Sequence, residues 1–285
     1  MININEILKK TDSEVPPLPA LKLTPVREKC GLFDSKLGGM PYFPKNMEYP
    51  RGTKRDYEGK PLRLLVQLNF EQLPHIEDFP QKGILQIFIA CEDDAVYGYD
   101  IYSSNDQTDQ NGFRVIYHEN IITDTSQLLS EDELPLNVMN EDEYIFPFKG
   151  EFLLKAAQPE MHYATFDVYR FEQSFMNNYN DSTEGKIRFY WDIGDEATEM
   201  IQTRNGERTA FIGGYPVFEQ DDPRSEAEEF AVFDRVLFEL LSLEGEGFCQ
   251  WDIIWGDVGT GCFMIPAENL KKCDFSQVLY NYDCG

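Results

Sequence analysis

A Gly-Gly-x-Pro turn occurs twice in this chain, and each time the same two apolar segments follow it. Leu37-Gly-Gly-Met-Pro-Tyr-Phe43 returns as Ile212-Gly-Gly-Tyr-Pro-Val-Phe218. Paired glycines accept positive φ and the proline fixes the exit, so Gly38, Gly39 and Pro41, and later Gly213, Gly214 and Pro216, are expected as structural turns. Pro50-Arg51 returns as Pro223-Arg224. Leu64–Leu68 returns as Leu237–Leu241, placing Glu239 where Gln67 stands, and Gly83–Ile89 returns as Gly259–Ile265. The second glycine of the turn precedes the later glycine by 44 residues in the first copy and 45 in the second. Two copies are too few for a solenoid. They predict one pseudo-symmetric body with a shared core, and any groove between the copies is the expected binding site.

Leu62–Phe70 and Ile84–Cys91 are short, apolar and bounded by turn residues, as buried strands are. Phe230–Leu243 also fits an amphipathic helix, but the equivalence with Leu64–Leu68 predicts a strand over Val236–Leu243. Val96–Tyr102 alternates as a strand, and Asn105–Gly112 reads as a turn before a returning strand at Phe113–Tyr117. Helices are predicted at Asn3–Lys10, with Ile4, Ile7 and Leu8 on one face, and at Asp167–Tyr179, with Phe171, Phe175 and Tyr179 on one stripe. Ile122–Glu143 has seven acidic residues and no Lys or Arg, which reads as a solvated connection. The expected fold class is mainly β, α+β with minor helices: a roll-like, pseudo-symmetric body built from an internal duplication. Its expected divisions are a helix and proline-rich lead-in over 1–29, a first β-rich repeat over 30–150, and a linker helix with the second repeat over 151–285, all in one globular unit.

Asp34–Pro44, Pro61–Phe70, Gly83–Ile89, Asp93–Asp100, Gly213–Pro223, Trp255–Gly259 and the Asp274-Phe-Ser276 region together resemble the YwqG-like family of bacterial proteins. The resemblance implies a β-rich, roll-like fold with minor helices. It implies no activity and carries over no catalytic residue. An association with toxin and immunity loci is an expectation of the resemblance alone.

The net charge is −26, and it is unevenly spread: residues 1–63 hold 12 basic and 8 acidic residues, the remainder 13 and 43. Such a field repels nucleic acid and anionic membrane surfaces and favours basic partners, although solubility alone also accounts for it. Met1–Glu14 has no apolar secretory core, and the longest apolar stretch, Gly83–Cys91, is far short of a membrane span. A cytoplasmic protein is expected. The six cysteines form no C-x-x-C pair, and Cys262, Cys273 and Cys284 are too widely spaced for a zinc motif.

No segment carries a catalytic signature. Gly256-Asp-Val-Gly-Thr-Gly261 has the wrong order for a dinucleotide loop and reads as a turn into the strand that follows. Thr183-Glu-Gly-Lys186 lacks the rest of a phosphate loop. A calcium loop starting at Gln107 would need an acid where His118 stands. His75, His118 and His162 have no metal-binding spacing, so no cofactor and no metal are expected. Asp192 with Asp195, or Asp221 with Asp222, are local carboxylate pairs of the kind expected by chance in so acidic a chain.

Gln67 inside an apolar strand, Gln220 after the second turn and Asp257 in Trp255-Gly-Asp-Val-Gly are polar groups that need partners if buried. Either they satisfy backbone at turns and strand ends, or they line the groove with Lys36 as its basic member and Trp251 and Trp255 as its wall. The preferred expectation is a non-enzymatic binding or immunity-like module recognising a basic protein partner. The competing one is a hydrolase acting through carboxylates on a small ligand where Gln67, Gln220 and Asp257 converge.

Overall fold

The computed structural model describes residues 3–54, 57–91, 96–99, 107–135, 145–246 and 250–285. The strands are β1 (Leu18–Val26), β2 (Lys36–Gly38), β3 (Arg63–Asn69), β4 (Ile84–Ile89), β5 (Phe113–His118), β6 (Glu151–Ala156), β7 (Glu160–His162), β8 (Ala210–Gly213), β9 (Arg235–Leu241), β10 (Leu243–Glu244), β11 (Trp251–Ile253), β12 (Thr260–Ile265) and β13 (Leu279–Asp283). One antiparallel sheet runs β13-β12-β9-β8-β1-β6-β2-β3-β4-β5, with β7 also on β1; β10 and β11 pair separately. The fold is mainly β, and the sheet curls into a half-barrel.

The duplication is written in the register. β8-β9-β12-β13 repeats β2-β3-β4-β5, and the two sets flank β1 and β6. Lys36 and Leu37 of β2 pair with Leu153 and Phe152 of β6; Phe211 and Ile212 of β8 pair with Lys22 and Leu21 of β1. β1 therefore serves the second copy as β6 serves the first. The two central strands pair with each other symmetrically, Leu23 with Ala156 and Pro25 with Leu154, about Thr24 and Lys155. The proline-rich lead-in is thus a central strand, through which the first 29 residues join the same sheet as both copies.

Curling brings the two ends of the sheet over one core. Leu65, Ile87 and Phe113 from one copy share it with Phe238, Phe263 and Tyr280 from the other. The Phe113 ring lies 5.7 Å from that of Phe263 and 5.4 Å from that of Tyr280. Strand alternation sends the remaining side chains to the outer face, where each Gly-Gly turn throws a loop across them. Phe43 covers one outer cluster and Phe218 the other.

Residues 157–209 carry the helices α2 (Tyr169–Ser182) and α3 (Asp195–Gln202), which have no counterpart in the first copy. Phe171, Phe175 and Tyr179 are buried with Ile7 of α1 (Ile4–Glu14), as their spacing predicts. Val236–Leu243 falls on β9 and β10. Val96–Gly98 is a 3-10 turn with Tyr97 at φ +56°, contrary to the predicted strand; Asp100–Tyr102 lie outside the described residues. Ile122–Glu143 is not simply a solvated connection. Leu128 and Leu134 are buried, and the segment packs over the first loop; residues 136–144 lie outside the described residues. Among the described residues no helix is long and apolar enough to cross a membrane.

The turn glycines lie at φ +62° and +66° (Gly38, Gly39) and +69° and +68° (Gly213, Gly214). A Cβ on Gly213 would stand 2.4 Å from the Pro19 carbonyl oxygen. Gly213→Ala should therefore cost roughly 2 kcal/mol or more in urea denaturation, from the left-handed backbone and the collision together. Gly206, at φ +65° with nothing within 4 Å of an added Cβ, isolates the backbone cost. Gly206→Ala should lose only about 1 kcal/mol.

Candidate functional site

The loop that leaves each Gly-Gly turn is tied to the sheet by one buried side chain. In the first copy that side chain is Gln67, in the middle of β3. Its Oε1 accepts from the Tyr42 backbone N–H at 2.9 Å and from Gln86 Nε2 at 2.8 Å. Its Nε2 donates to the carbonyls of Leu32 and Asp34, both at 2.9 Å. Gln86, opposite it on β4, donates to the Tyr42 carbonyl at 2.7 Å. His118 Nε2 stands 2.9 Å from Gln86 Oε1, which can only accept, so Nε2 carries the proton. Burial pulls this imidazole down to about 4 and keeps it neutral. The polar groups satisfy one another with no net charge.

Register places the counterparts of this network without ambiguity. Glu239 stands for Gln67, Cys262 for Gln86 and Asp283 for His118, since Ile84 pairs with His118 as Thr260 pairs with Asp283. The tie itself survives: Glu239 Oε1 accepts from the Val217 N–H at 2.9 Å, and Val217 stands for Tyr42. The chemistry around it changes. Glu239 is wholly buried; its Oε2 has no nitrogen or oxygen partner, and the Cys262 thiol is its one further hydrogen-bonding neighbour among the described residues. Desolvation pushes its carboxyl up to about 8, against the opposing effects of the Val217 N–H and the Arg208 guanidinium. Glu239 Oε1 keeps the acceptor role of Gln67, and a proton on the acid spares the site a buried charge.

Asp283 ends the row. Its Oδ2 accepts from the N–H groups of Glu219 and Gln220, both at 3.1 Å, whereas its Oδ1 is buried without a partner. Burial raises this carboxyl to about 6, and the nearby Glu219 and Asp167 add to the rise. Cys262 lies between the two acids, completely buried, and its thiol is raised well above the ordinary range. A thiol held protonated in this way is no nucleophile.

Asp283 forms part of the wall of a cavity of about 500 Å³. Tyr282, Gln220, Asp221, Glu228 and Glu229 from the second copy line it, and Tyr99 and Gln107, from the connection between β4 and β5, close it from the first. No Lys or Arg is among its described lining residues. The corresponding place in the first copy is filled. There the chain beyond β5 folds back over the loop: Ile122 N–H donates to the Tyr42 hydroxyl, Leu129 N–H to the Phe43 carbonyl, and the Gln127 carbonyl accepts from Lys45 N–H. A roomier cleft of about 680 Å³ lies between α1 and residues 182–185, but no buried unpartnered group faces it.

Of the candidate binding residues read from sequence, only Gln220 lines this cavity, together with Asp221 of the chance carboxylate pairs. Its side chain donates to the Cys284 carbonyl at 2.8 Å. Gln67 is committed to its own copy's network. Lys36 is buried, donating to the carbonyls of Gly31 and Met40 at 2.8 and 2.6 Å, and desolvation pulls it down to about 8. Trp255 is a core residue behind the cavity wall, its ring 5.9 Å from that of Tyr282. Asp257 is exposed in the turn that precedes β12. The proposed convergence of Gln67, Gln220 and Asp257 is absent, because the copies place their polar rows on separate parts of the outer face. Asp283 was missed: as an isolated acid near the end of a very acidic chain it carries no sequence pattern. Its alignment with His118 emerges only through β-pairing.

Over residues 35–284 the chain matches the family described as a domain of unknown function (DUF1963), and it belongs to that family. No curated protein matches it.

A protonated buried Glu239 has a measurable consequence. Its carboxyl has an ordinary value near 4.5 when unfolded and about 8 when folded. The stabilisation from holding the proton is complete below 4.5 and is lost as pH rises through 8. Glu239→Gln, which installs the residue of the first copy, should leave stability at pH 4.5 little changed. At pH 8 it should raise the melting temperature by at least about 2 °C. Equal melting temperatures for the two proteins across that range would contradict the assignment.

Proposed function

We propose that this member of the DUF1963 family is a non-enzymatic binding module that recognises a basic protein partner through the acidic cavity on its second copy. The observation that carries the reading is the cavity itself, where Asp221, Glu228, Glu229 and the buried Asp283 converge with no Lys or Arg among the described lining residues. Its volume is within the range of ordinary ligand sites. The surplus of acid over residues 64–285 supplies a field that steers a cation toward it and disfavours nucleic acid and anionic membranes. The resemblance to YwqG-like proteins supports a cytoplasmic, immunity-like or regulatory setting, in which the protein acts by occupying a partner rather than transforming it.

A carboxylate hydrolase is the second reading. It is favoured by Asp283, whose carboxyl is held at about 6 beside the cavity and is therefore near the range useful for general acid–base work. Against it stand the buried, protonated Cys262 and Glu239 behind Asp283, which leave no activated nucleophile there.

A folded basic protein such as cytochrome c is a suitable probe for the preferred reading, measured by biolayer interferometry. Its affinity should fall at least about tenfold between about 0.05 and about 0.3 M salt. The triple variant Asp221→Asn/Glu228→Gln/Glu229→Gln should weaken it at low salt. Binding that ignores salt and these substitutions, or no binding at low salt, would contradict the proposal.

A further inference from the structure

We propose that residues 216–221 form a lid that two buried acids, Glu239 and Asp283, hold against the outer face of the second copy, and that loss of their protons lifts it. The lid is independent of the partner reading. Its two ends are fastened. The Tyr215 carbonyl accepts from Arg208 at 3.2 Å, and the Tyr215 hydroxyl donates to the Pro16 carbonyl at 2.6 Å. Asp222 accepts from the Tyr169 N–H at 3.2 Å and pairs with buried Arg224 through both oxygens, at 2.8 and 2.7 Å. Between these anchors no main-chain group bonds another main-chain group among the described residues. The N–H groups of Val217, Glu219 and Gln220 all end on carboxyl oxygens, one on Glu239 and two on Asp283. The Gln220 side chain adds one bond, to the Cys284 carbonyl. Phe218 is the plug, buried among Phe230, Val236, Cys262 and Met264.

The first copy has no such dependence on acids. Its loop is held by the amides of Gln67 and Gln86, and main-chain bonds add to them, from Lys45 N–H to the Gln127 carbonyl and from Leu129 N–H to the Phe43 carbonyl. None of these groups titrates.

Ionisation does not weaken the bond from Val217 to Glu239, because a carboxylate is the better acceptor. What it adds is a charge shut off from water. Besides the Val217 N–H, Glu239 Oε1 has the Thr260 hydroxyl at 3.3 Å, and the Cys262 thiol is a further neighbour. A wholly buried carboxylate costs more than so few donors offset. Arg208 favours the charge on Glu239, whereas Asp283 opposes it. Asp283 in turn feels Glu219 and Asp167, and Arg224, which acts on Cys262, is already paired with Asp222. The strands β9, β12 and β13 are locked in the sheet by their ladders. The lid is therefore the part that can yield and let water reach the carboxylate. Asp283 loses its proton at about 6 and Glu239 at about 8. Glu239 has an ordinary value of 4.5 once hydrated, so its hold on the lid is complete below 4.5 and is lost as pH rises through about 8.

Hydrogen exchange mass spectrometry on the whole protein, corrected for the intrinsic dependence of exchange on pH, tests the lid. Peptides covering 216–221 should lose protection about tenfold per pH unit between about 6 and about 8, and little more above that. Peptides covering 41–46, the corresponding loop of the first copy, and 235–241, beneath the lid, should keep theirs. Glu239→Gln, which places the amide of the first copy under the lid, should make 216–221 insensitive to pH over that range. Constant protection of 216–221, or a loss shared equally by all three segments, would overturn the proposal, and both are read on the unmodified protein. A loss at 216–221 that persists in Glu239→Gln would overturn it as well.

Discussion

A single buried acceptor on the second strand of each copy holds the loop that covers that copy's outer face. The Gly-Gly turn delivers a backbone N–H, that of buried Tyr42 or half-buried Val217, onto the outer face of the sheet. There it must find a partner or cost roughly 1–3 kcal/mol. Gln67 and Glu239 meet it at the same distance, 2.9 Å. The rest follows from that bond. The loop is held down, Phe43 or Phe218 is pressed onto the sheet, and the outward faces of the neighbouring strands become a second hydrophobic layer.

The two copies solve the remaining problem differently. An amide has both an acceptor and a donor, so Gln67 and Gln86 close a neutral network with His118. A carboxyl in the same place has a donor only while protonated. The second copy keeps the same bond through Glu239 Oε1, holds that buried acid neutral, and ends its polar row on Asp283 beside a cavity. One framework thus carries a closed amide–imidazole network in the first copy and a row of buried acid and thiol groups in the second.

Much of the frame was legible in the sequence because turns, strand patterning and repeat spacing are local. The positive-φ glycines, β3, β4, β9 and β12, and the substitution of Glu239 for Gln67 all follow from residues close together in the chain. The central role of β1 was not legible: its prolines suggest a lead-in, and only pairing with β6 and β8 reveals a strand shared between copies. The site fared worse. Gln67 and Gln220 were sound as polar groups needing partners, but the row Glu239–Cys262–Asp283 is assembled across three strands. Lys36 and Trp255 lie in a lattice of backbone carbonyls and aromatic rings that spacing cannot anticipate.

The protonation of the second lock is most directly observed by carbon-detected NMR, following the side-chain carboxyl carbons of Glu239 and Asp283 through a pH titration of the folded protein. The account predicts that Glu239 keeps its proton until about pH 8 and Asp283 until about pH 6. If both carboxyls instead titrate near 4, as ordinary exposed acids do, the second copy does not keep its buried acid neutral and the contrast between the halves fails.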